Sequence, residues 1–308
     1  MPRSTLWRRL LASIALAASV LPAAAAIPAS ERQVLLDLYA ATAGAGWTNN
    51  TNWNGAAGTE CTWFGVNCDA GEDHVTGVVL PANNLVGALP GNINQLTALV
   101  AFSVWNNQLS GSIPSLAGLV NLRAFAVNDN QLSGAIPPLS GLTVLTWFYV
   151  YNNQLSGPIP PLSGLTTLEY FSADGNRLSG AIPALTGLTA LRYFMVHDNR
   201  LSGSMPSLDG LTTLERVFVH GNQLTGAPPA APATLTAGYS RLCPNHLIAP
   251  SPTDAAWDAA TGETPWSQNC TAAAVGSVAA VPTTGEWALL LLGMLAAAVG
   301  ARRLRRQV

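Results

Sequence analysis

The sequence predicts an α/β repeat solenoid of seven turns of about 23 residues, closed at its N-terminal end by a helical cap. Three observations predict it. A short motif recurs seven times, its glycine falling at Gly87, Gly111, Gly134, Gly157, Gly180, Gly203 and Gly226, evenly spaced after a first step that is one residue longer. Apolar residues repeat in the same register: Leu96, Leu99, Phe102, Val104, Leu109 and Ile113 in one turn, and Leu119, Leu122, Phe125, Val127, Leu132 and Ile136 in the next. Both flanks lose this period and carry cysteine pairs and tryptophans, which suits the caps that the ends of a stacked array need.

Within a turn, Phe102-x-Val104 alternates with a period of two and predicts a short strand with those side chains inward. Asn107 follows, with equivalents at Asn83, Asn130, Asn153, Asn176, Asn199 and Asn222. An amide turned inward there can satisfy backbone groups exposed by the bend, and such a group is tolerated inside only when it is paired. Glycine and then Ile-Pro shape an extended return path on which no long helix is expected. A lone turn buries too little apolar surface to offset the ordering of its backbone, so the turns are stable only when stacked.

The pattern LxxLxxLxLxxNxLxGxIP over about residues 75–229 resembles the plant-type leucine-rich repeat. The resemblance implies a curved, right-handed solenoid with a parallel sheet on its concave side. Likeness to plant receptor ectodomains and polygalacturonase-inhibiting proteins further implies recognition of a protein, peptide or glycan. It implies no kinase, because the chain contains no kinase sequence.

The predicted organisation is a signal peptide over residues 1–26, an N-terminal cap over 27–72 and repeats over 73–229. A C-terminal cap over 230–271, a linker over 272–281 and a sorting signal over 282–308 follow. Arg3, Arg8 and Arg9, an apolar stretch over residues 10–21 and small residues over 23–26 form the charged, apolar and cleavage regions of an export signal. In the first cap, Ser30 to Gln33 reads as a capping box, and Val34, Leu35, Leu38 and Tyr39 as one apolar helical face ended by Gly44 and Gly46. Trp47, Trp53 and Trp63 are expected in its core. The Cys61-to-Cys68 segment, CTWFGVNC, resembles the cap that precedes plant-type repeats.

An exported chain is exposed to oxidising conditions, so Cys61, Cys68, Cys243 and Cys270 are expected to pair as disulfides. Three pairings are possible, and the short loops favour the two local ones. The last segment reads VPTTGEW, then an uncharged apolar run over residues 288–301 and four arginines. It resembles the IPTL-CTERM sorting signal: Pro282, Thr283, Glu286 and Trp287 match its IPTLSEW core, while Val281, Thr284 and Gly285 depart from it. That resemblance implies handling by an exosortase-type enzyme, membrane attachment before processing, and display on or release from a Gram-negative bacterial cell.

The chain contains no lysine, and residues 27–281 carry seven arginines against 15 carboxylates, a net of −8. No basic stripe is available to neutralise phosphates, so nucleic acid is excluded as a partner. The G-x-S-x-G, H-E-x-x-H and P-loop patterns are absent and the cysteines are paired with each other, so no enzyme and no cofactor are expected.

Residues alternating with the inward ones should line the concave face in three columns. Ala101, Ala124, Trp147, Tyr170, Tyr193 and Arg216 form the first; Ser103, Ala126, Tyr149, Ser172, Met195 and Phe218 the second; Trp105, Asn128, Tyr151, Asp174, His197 and His220 the third. Large aromatics contiguous on a solvent-facing sheet point to a binding patch, against the competing fact that aromatics simply suit strands. The candidate contacts are Trp105, Trp147, Tyr149, Tyr151, Tyr170, Asp174, Tyr193, Met195, His197, Arg216, Phe218 and His220. Asp174, His197 and His220 sit one turn apart with metal-ligating chemistry, but stacked side chains of this kind arise without an ion, and no metal site is assigned. The functional expectation is adhesion or recognition at the cell surface. The alternative is a structural matrix or biofilm component without one defined ligand.

Overall fold

The computed structural model describes residues 27–248 and 254–270. The expected export signal, linker and C-terminal sorting segment lie outside the described residues. Seven parallel strands form the spine of the molecule: Val75–Val79, Ala101–Ser103, Ala124–Ala126, Trp147–Tyr149, Tyr170–Ser172, Tyr193–Met195 and Arg216–Phe218. Val66–Cys68 adds to the first of them antiparallel and completes an eight-stranded sheet. The register repeats the sequence period, with Gly77 opposite Ala101 and then Phe102 opposite Phe125, Phe148 opposite Phe171 and Phe171 opposite Phe194. These phenylalanines are buried and stack at centroid separations of 5.6 to 5.7 Å, because identical positions on successive strands lie one strand spacing apart.

After each strand the ladder asparagine turns inward as expected. Asn107 donates to the carbonyls of Leu80, Val104 and Trp105 at 2.9, 2.9 and 3.1 Å, and its Oδ1 accepts from the N–H groups of Asn83 and Leu85 at 3.0 and 2.9 Å. The residue before it adopts left-handed backbone in every turn, with φ of 48° at Ala82, 54° at Asn106, 53° at Asp129, 49° at Asn152, 59° at Gly175, 52° at Asp198 and 64° at Gly221. Asn, Asp or Gly, the residue types for which that conformation costs least, occupies six of these seven positions, and Ala82 in the first turn is the exception.

The return path is more ordered than an extended coil. Ser133–Gly134, Gln154–Gly157, Arg177–Gly180, Arg200–Gly203, Gln223–Gly226 and His246–Leu247 form a second parallel sheet, and Val86–Ala88 pairs with Gln108–Ser110. Stacking in register gives the extended Leu-Ser-Gly backbone its partners, as in Gln131 N–H to Leu109 O at 2.8 Å. Among the described residues α-helix is confined to the caps, at Ala29–Ala41 and Asp254–Thr261. The fold is therefore a parallel-sheet solenoid with helical caps and seven turns, each of about 23 residues.

Two details of the first cap correct the sequence reading. The helix Ala29–Ala41 begins after Pro28, and no side chain caps its N-terminus. Ser30 is thus inside the first turn, and Gln33 bonds Asp37 at 2.8 Å instead of closing a capping box. The helix ends through Ala43 in left-handed backbone, one residue before Gly44. Val34, Leu35, Leu38, Trp47, Trp53 and Trp63 are buried as expected, with Tyr39 packed against them and stacked on Trp53 at 5.9 Å.

Two carboxylates are also inside this cap. Glu60 pairs with Arg32, whose guanidinium lies 5.3 Å from the Trp63 ring centre. Buried Glu31 accepts from Val75 N–H and bonds His74 Nδ1, both at 2.7 Å, tying the helix to the first strand. The hydrogen bond to Glu31, then its charge, raises the His74 pKa above the ordinary 6.5. A raised imidazole pKa stabilises the fold fully below the unfolded value, and that contribution is lost as pH rises through the folded value. The native chain is accordingly expected to lose more stability than a His74→Gln variant as pH rises above the ordinary histidine value of about 6.5. Paired urea titrations check this, and parallel pH profiles for the two proteins would refute it.

Both local disulfides form, Cys61 to Cys68 and Cys243 to Cys270, with Cα separations of 5.6 and 4.6 Å. The second staples the C-terminal cap, which packs on the last turn. Trp257 and Trp266 are buried, Trp257 Nε1 donates to Pro229 O at 2.8 Å, and Ser240 N–H donates to Ala260 O at 3.0 Å. The ladder also continues one rung beyond the seventh motif. Asn245 donates to Val219 O at 2.9 Å and to Leu242 O at 2.6 Å, and accepts from Leu224 N–H at 2.9 Å.

Candidate ligand-binding face

The strand register places the three expected columns side by side on one face of the eight-stranded sheet. Ala101, Ala124, Trp147, Tyr170, Tyr193 and Arg216 align, as do Ser103, Ala126, Tyr149, Ser172, Met195 and Phe218. Backbone bonds just beyond the strands, such as Asn106 N–H to Asn128 O and Gly175 N–H to His197 O, align the third column from Trp105 to His220.

The aromatics are not the open solvent-facing set that the sequence suggests. Tyr149 and Tyr170 are each 8% exposed and Met195 9%, whereas Trp105, Trp147, Tyr151, Tyr193, Arg216 and Phe218 are half-buried. The cause is mutual cover across adjacent strands. Tyr170 meets Tyr193 edge-on at 4.8 Å and lies 6.4 Å from Tyr149, which in turn contacts Tyr151 at 6.4 Å. Arg216 lies between Tyr193 and Tyr239, 4.9 and 4.7 Å from their ring centres. Burial raises the Tyr149, Tyr151 and Tyr170 hydroxyl pKa values, so all three stay neutral donors.

Toward the C-terminal end the third column becomes polar. His197 and His220 stack at 4.5 Å, and Phe218 packs 6.0 Å from His197. Asp174 Oδ2 is 3.5 Å from His197 Nε2, and Ser172 Oγ donates to Asp174 Oδ1 at 2.5 Å. Burial raises the Asp174 pKa, and burial with the His197 and Arg241 charges pushes His220 down to about 3, leaving it a neutral imidazole near pH 7.

Buried polar side-chain atoms without a partner concentrate on this face. Among the described residues seven such atoms are found, and six belong to the columns: Ser103 Oγ, Asn128 Oδ1, Trp147 Nε1, His197 Nδ1, Arg216 Nε and His220 Nδ1. Buried polar atoms ordinarily find partners, so their collection here distinguishes this face among the described residues. Ser103 and Asn128 were not among the candidate contacts, since a small polar residue on a strand gives no distinguishing signal. Tyr239 lies outside the repeat and also escaped the column reading.

The array superposes on solved repeat ectodomains. Against the crystal structure of PEPR1-AtPEP1 the TM-score is 0.62 at 26% identity, covering 71% of this chain and 32% of that one. Residues 279–306 match the IPTL-CTERM motif family.

The chain is a leucine-rich-repeat protein with a C-terminal IPTL-CTERM motif.

Other proteins resemble it over shorter stretches. The plant peptide hormone receptor RGFR1 in complex with RGF2 is 32% identical, with a TM-score of 0.51 over 53% of this chain and 27% of that one. The receptor-like kinase TMK2 of Arabidopsis thaliana is 40% identical over 76 residues, 24% of this chain and 8% of that protein. This leucine-rich-repeat chain thus spans about a tenth of the curated relatives it matches first and about a third of the solved receptor chains. Among its described residues no helix is long and apolar enough to cross a membrane, and the apolar run over residues 288–301 lies outside them.

Proposed function

We propose that this chain is a non-enzymatic recognition module of the cell surface that takes an extended peptide or protein segment across the three columns of its parallel sheet. The observation that carries the reading is the concentration of unpartnered buried polar atoms among the aromatics of that face. An extended peptide supplies a donor and an acceptor at every residue, which suits polar groups spread over six turns. The likeness to PEPR1-AtPEP1 and to RGFR1 in complex with RGF2, each solved with a partner named beside it, supports this class over a glycan. The IPTL-CTERM motif supports processing by an exosortase-type enzyme and display on or release from a Gram-negative cell.

The test is a screen of the purified full chain against peptide, surface-protein and glycan arrays, followed by titration of any hit. Trp147→Ala and Arg216→Ala are the informative variants, because both residues are half-buried, whereas truncating buried Tyr149 or Tyr170 also removes core. Each is expected to weaken a saturable peptide hit by about 30-fold, corresponding to roughly 2 kcal/mol for a central aromatic or Arg contact. Unchanged affinity in both variants would move the site off this face. Absence of any hit, with concentration-dependent self-association, would favour the matrix role.

A further inference from the structure

The C-terminal end of the third column brings together the chemistry of a transition-metal site. One donor atom from each of His197, Asp198 and His220 lies within 4.8 Å of the others. The two histidines occupy the same position in consecutive turns, so the strand spacing alone holds their rings parallel, 4.5 Å apart and inclined by 13°. Nδ1 of each ring is buried and has no hydrogen-bond partner, which sets this pair apart from an ordinary satisfied histidine. Asp174, itself held by Ser172, lies 3.5 Å from His197 Nε2, within reach to orient a metal-binding imidazole, and Asp198 Oδ2 stands 4.0 Å from the same nitrogen.

We propose that His197, His220 and Asp198 form a three-ligand site for a divalent transition cation of the zinc type, with Asp174 as the positioning carboxylate behind His197. Two imidazoles and one carboxylate select zinc, nickel or copper over calcium and magnesium, which want oxygen donors. Metal–ligand bonds of about 2.0–2.2 Å in a tetrahedron put donors about 3.3 Å apart, so the three must close by up to about 1.5 Å. Side-chain rotation supplies this, since Asp198 is exposed while its backbone N–H stays bonded to His220 O at 2.9 Å. The nearby Arg241 opposes a cation, and the carboxylates of Asp174 and Asp198 outweigh it. Three protein ligands leave a fourth coordination position for water or a further donor. The site shares His197 and His220 with the proposed peptide face, yet it does not depend on that reading: a chain that takes no peptide can still hold the ion.

The experiment is calorimetric titration of the chelator-stripped full chain with zinc and, separately, calcium, alongside thermal melting and visible absorption after cobalt loading. One zinc per chain, a raised melting temperature, cobalt bands of a tetrahedral nitrogen–oxygen site and no response to calcium are expected. His197→Gln with His220→Gln should abolish binding, Asp198→Asn should weaken it at least about tenfold, and His74→Gln with His246→Gln should leave it intact. A native chain that binds no zinc, or zinc binding that survives His197→Gln with His220→Gln, would overturn the proposal. Should that double variant fail to fold, the native cobalt spectrum and Asp198→Asn decide: missing cobalt bands, or undiminished affinity in Asp198→Asn, would equally overturn it.

Discussion

Replacing Asn153 by Ala is expected to lower the unfolding free energy by roughly 2–4 kcal/mol, more than the loss of a typical polar side chain. Asn153 is 8% exposed and makes four hydrogen bonds to backbone. Its Nδ2 donates to the carbonyls of Val127, Val150 and Tyr151 at 3.0, 3.2 and 3.1 Å, and its Oδ1 accepts from Leu132 N–H at 2.9 Å. Those groups belong to two successive turns: Leu132 N–H is paired by the amide, while Val127 O and Val150 O also accept from the Nδ2 of Asn130 and Asn176, and Tyr151 O from Asp129 N–H. Truncation leaves Leu132 N–H buried and unpaired, at about 1–3 kcal/mol, and removes a second donor from each of three carbonyls at a smaller cost. Asn153→Asp should be at least as harmful, because it keeps the acceptor, removes both donors and points a carboxylate at three carbonyls. Urea unfolding followed by circular dichroism measures both variants. A loss below about 1 kcal/mol for Asn153→Ala would show that the ladder amides are replaceable and that stacking of the apolar positions alone holds the turns.

The ladder was legible because it is one side-chain choice made seven times, and the same holds for the inward phenylalanines and the three columns. Repetition turns a weak local signal into a register. Asn245 shows both the strength and the reach of that signal. It falls one full repeat after Asn222, as Leu247 does after Leu224 and Leu242 after Val219, so the eighth rung keeps the period in its buried positions. It escapes a motif-based reading because Pro244 stands where Gly221 does and Ala249 where Gly226 does. The backbone-shaping residues change at a terminus while the core-facing ones persist.

What the sequence did not disclose depends on side chains meeting without a period. Glu31 sits in a plausible capping box, yet its carboxylate is used 43 residues away at His74 and 44 away at Val75, because the cap helix must be fastened to the first strand. Asp198 reads as a turn residue required by left-handed backbone, and only the stacked geometry brings it beside His197 and His220. Alternation correctly assigned Tyr149 and Tyr170 to the outer face but could not say that their neighbours cover them. Burial on a sheet surface depends on the rings of adjacent strands, which period alone does not fix.

Phe148→Ala is the second change of large expected effect, at about 3–5 kcal/mol. Its ring is fully buried and stacks on Phe125 at 5.7 Å and on Phe171 at 5.6 Å, so truncation opens a cavity in the middle of a continuous column. Phe194 is the natural control. It is equally buried but has one ring partner, Phe171, with Val217 on its other side, and Phe194→Ala should cost about 1 kcal/mol less for the missing ring pair. The shape of the transition should change as well. Each turn is stabilised chiefly by its two neighbours, so a weak interface at the centre divides the array into blocks that can unfold separately. Phe148→Ala should therefore broaden the urea transition and lower its slope, while Phe194→Ala, nearer the C-terminal cap, should shift the midpoint with the slope nearly kept. Equal slopes in both variants would mean that the caps and the ladder couple the turns over longer range than contact between neighbours provides. The solenoid would then unfold as one unit however its column is interrupted.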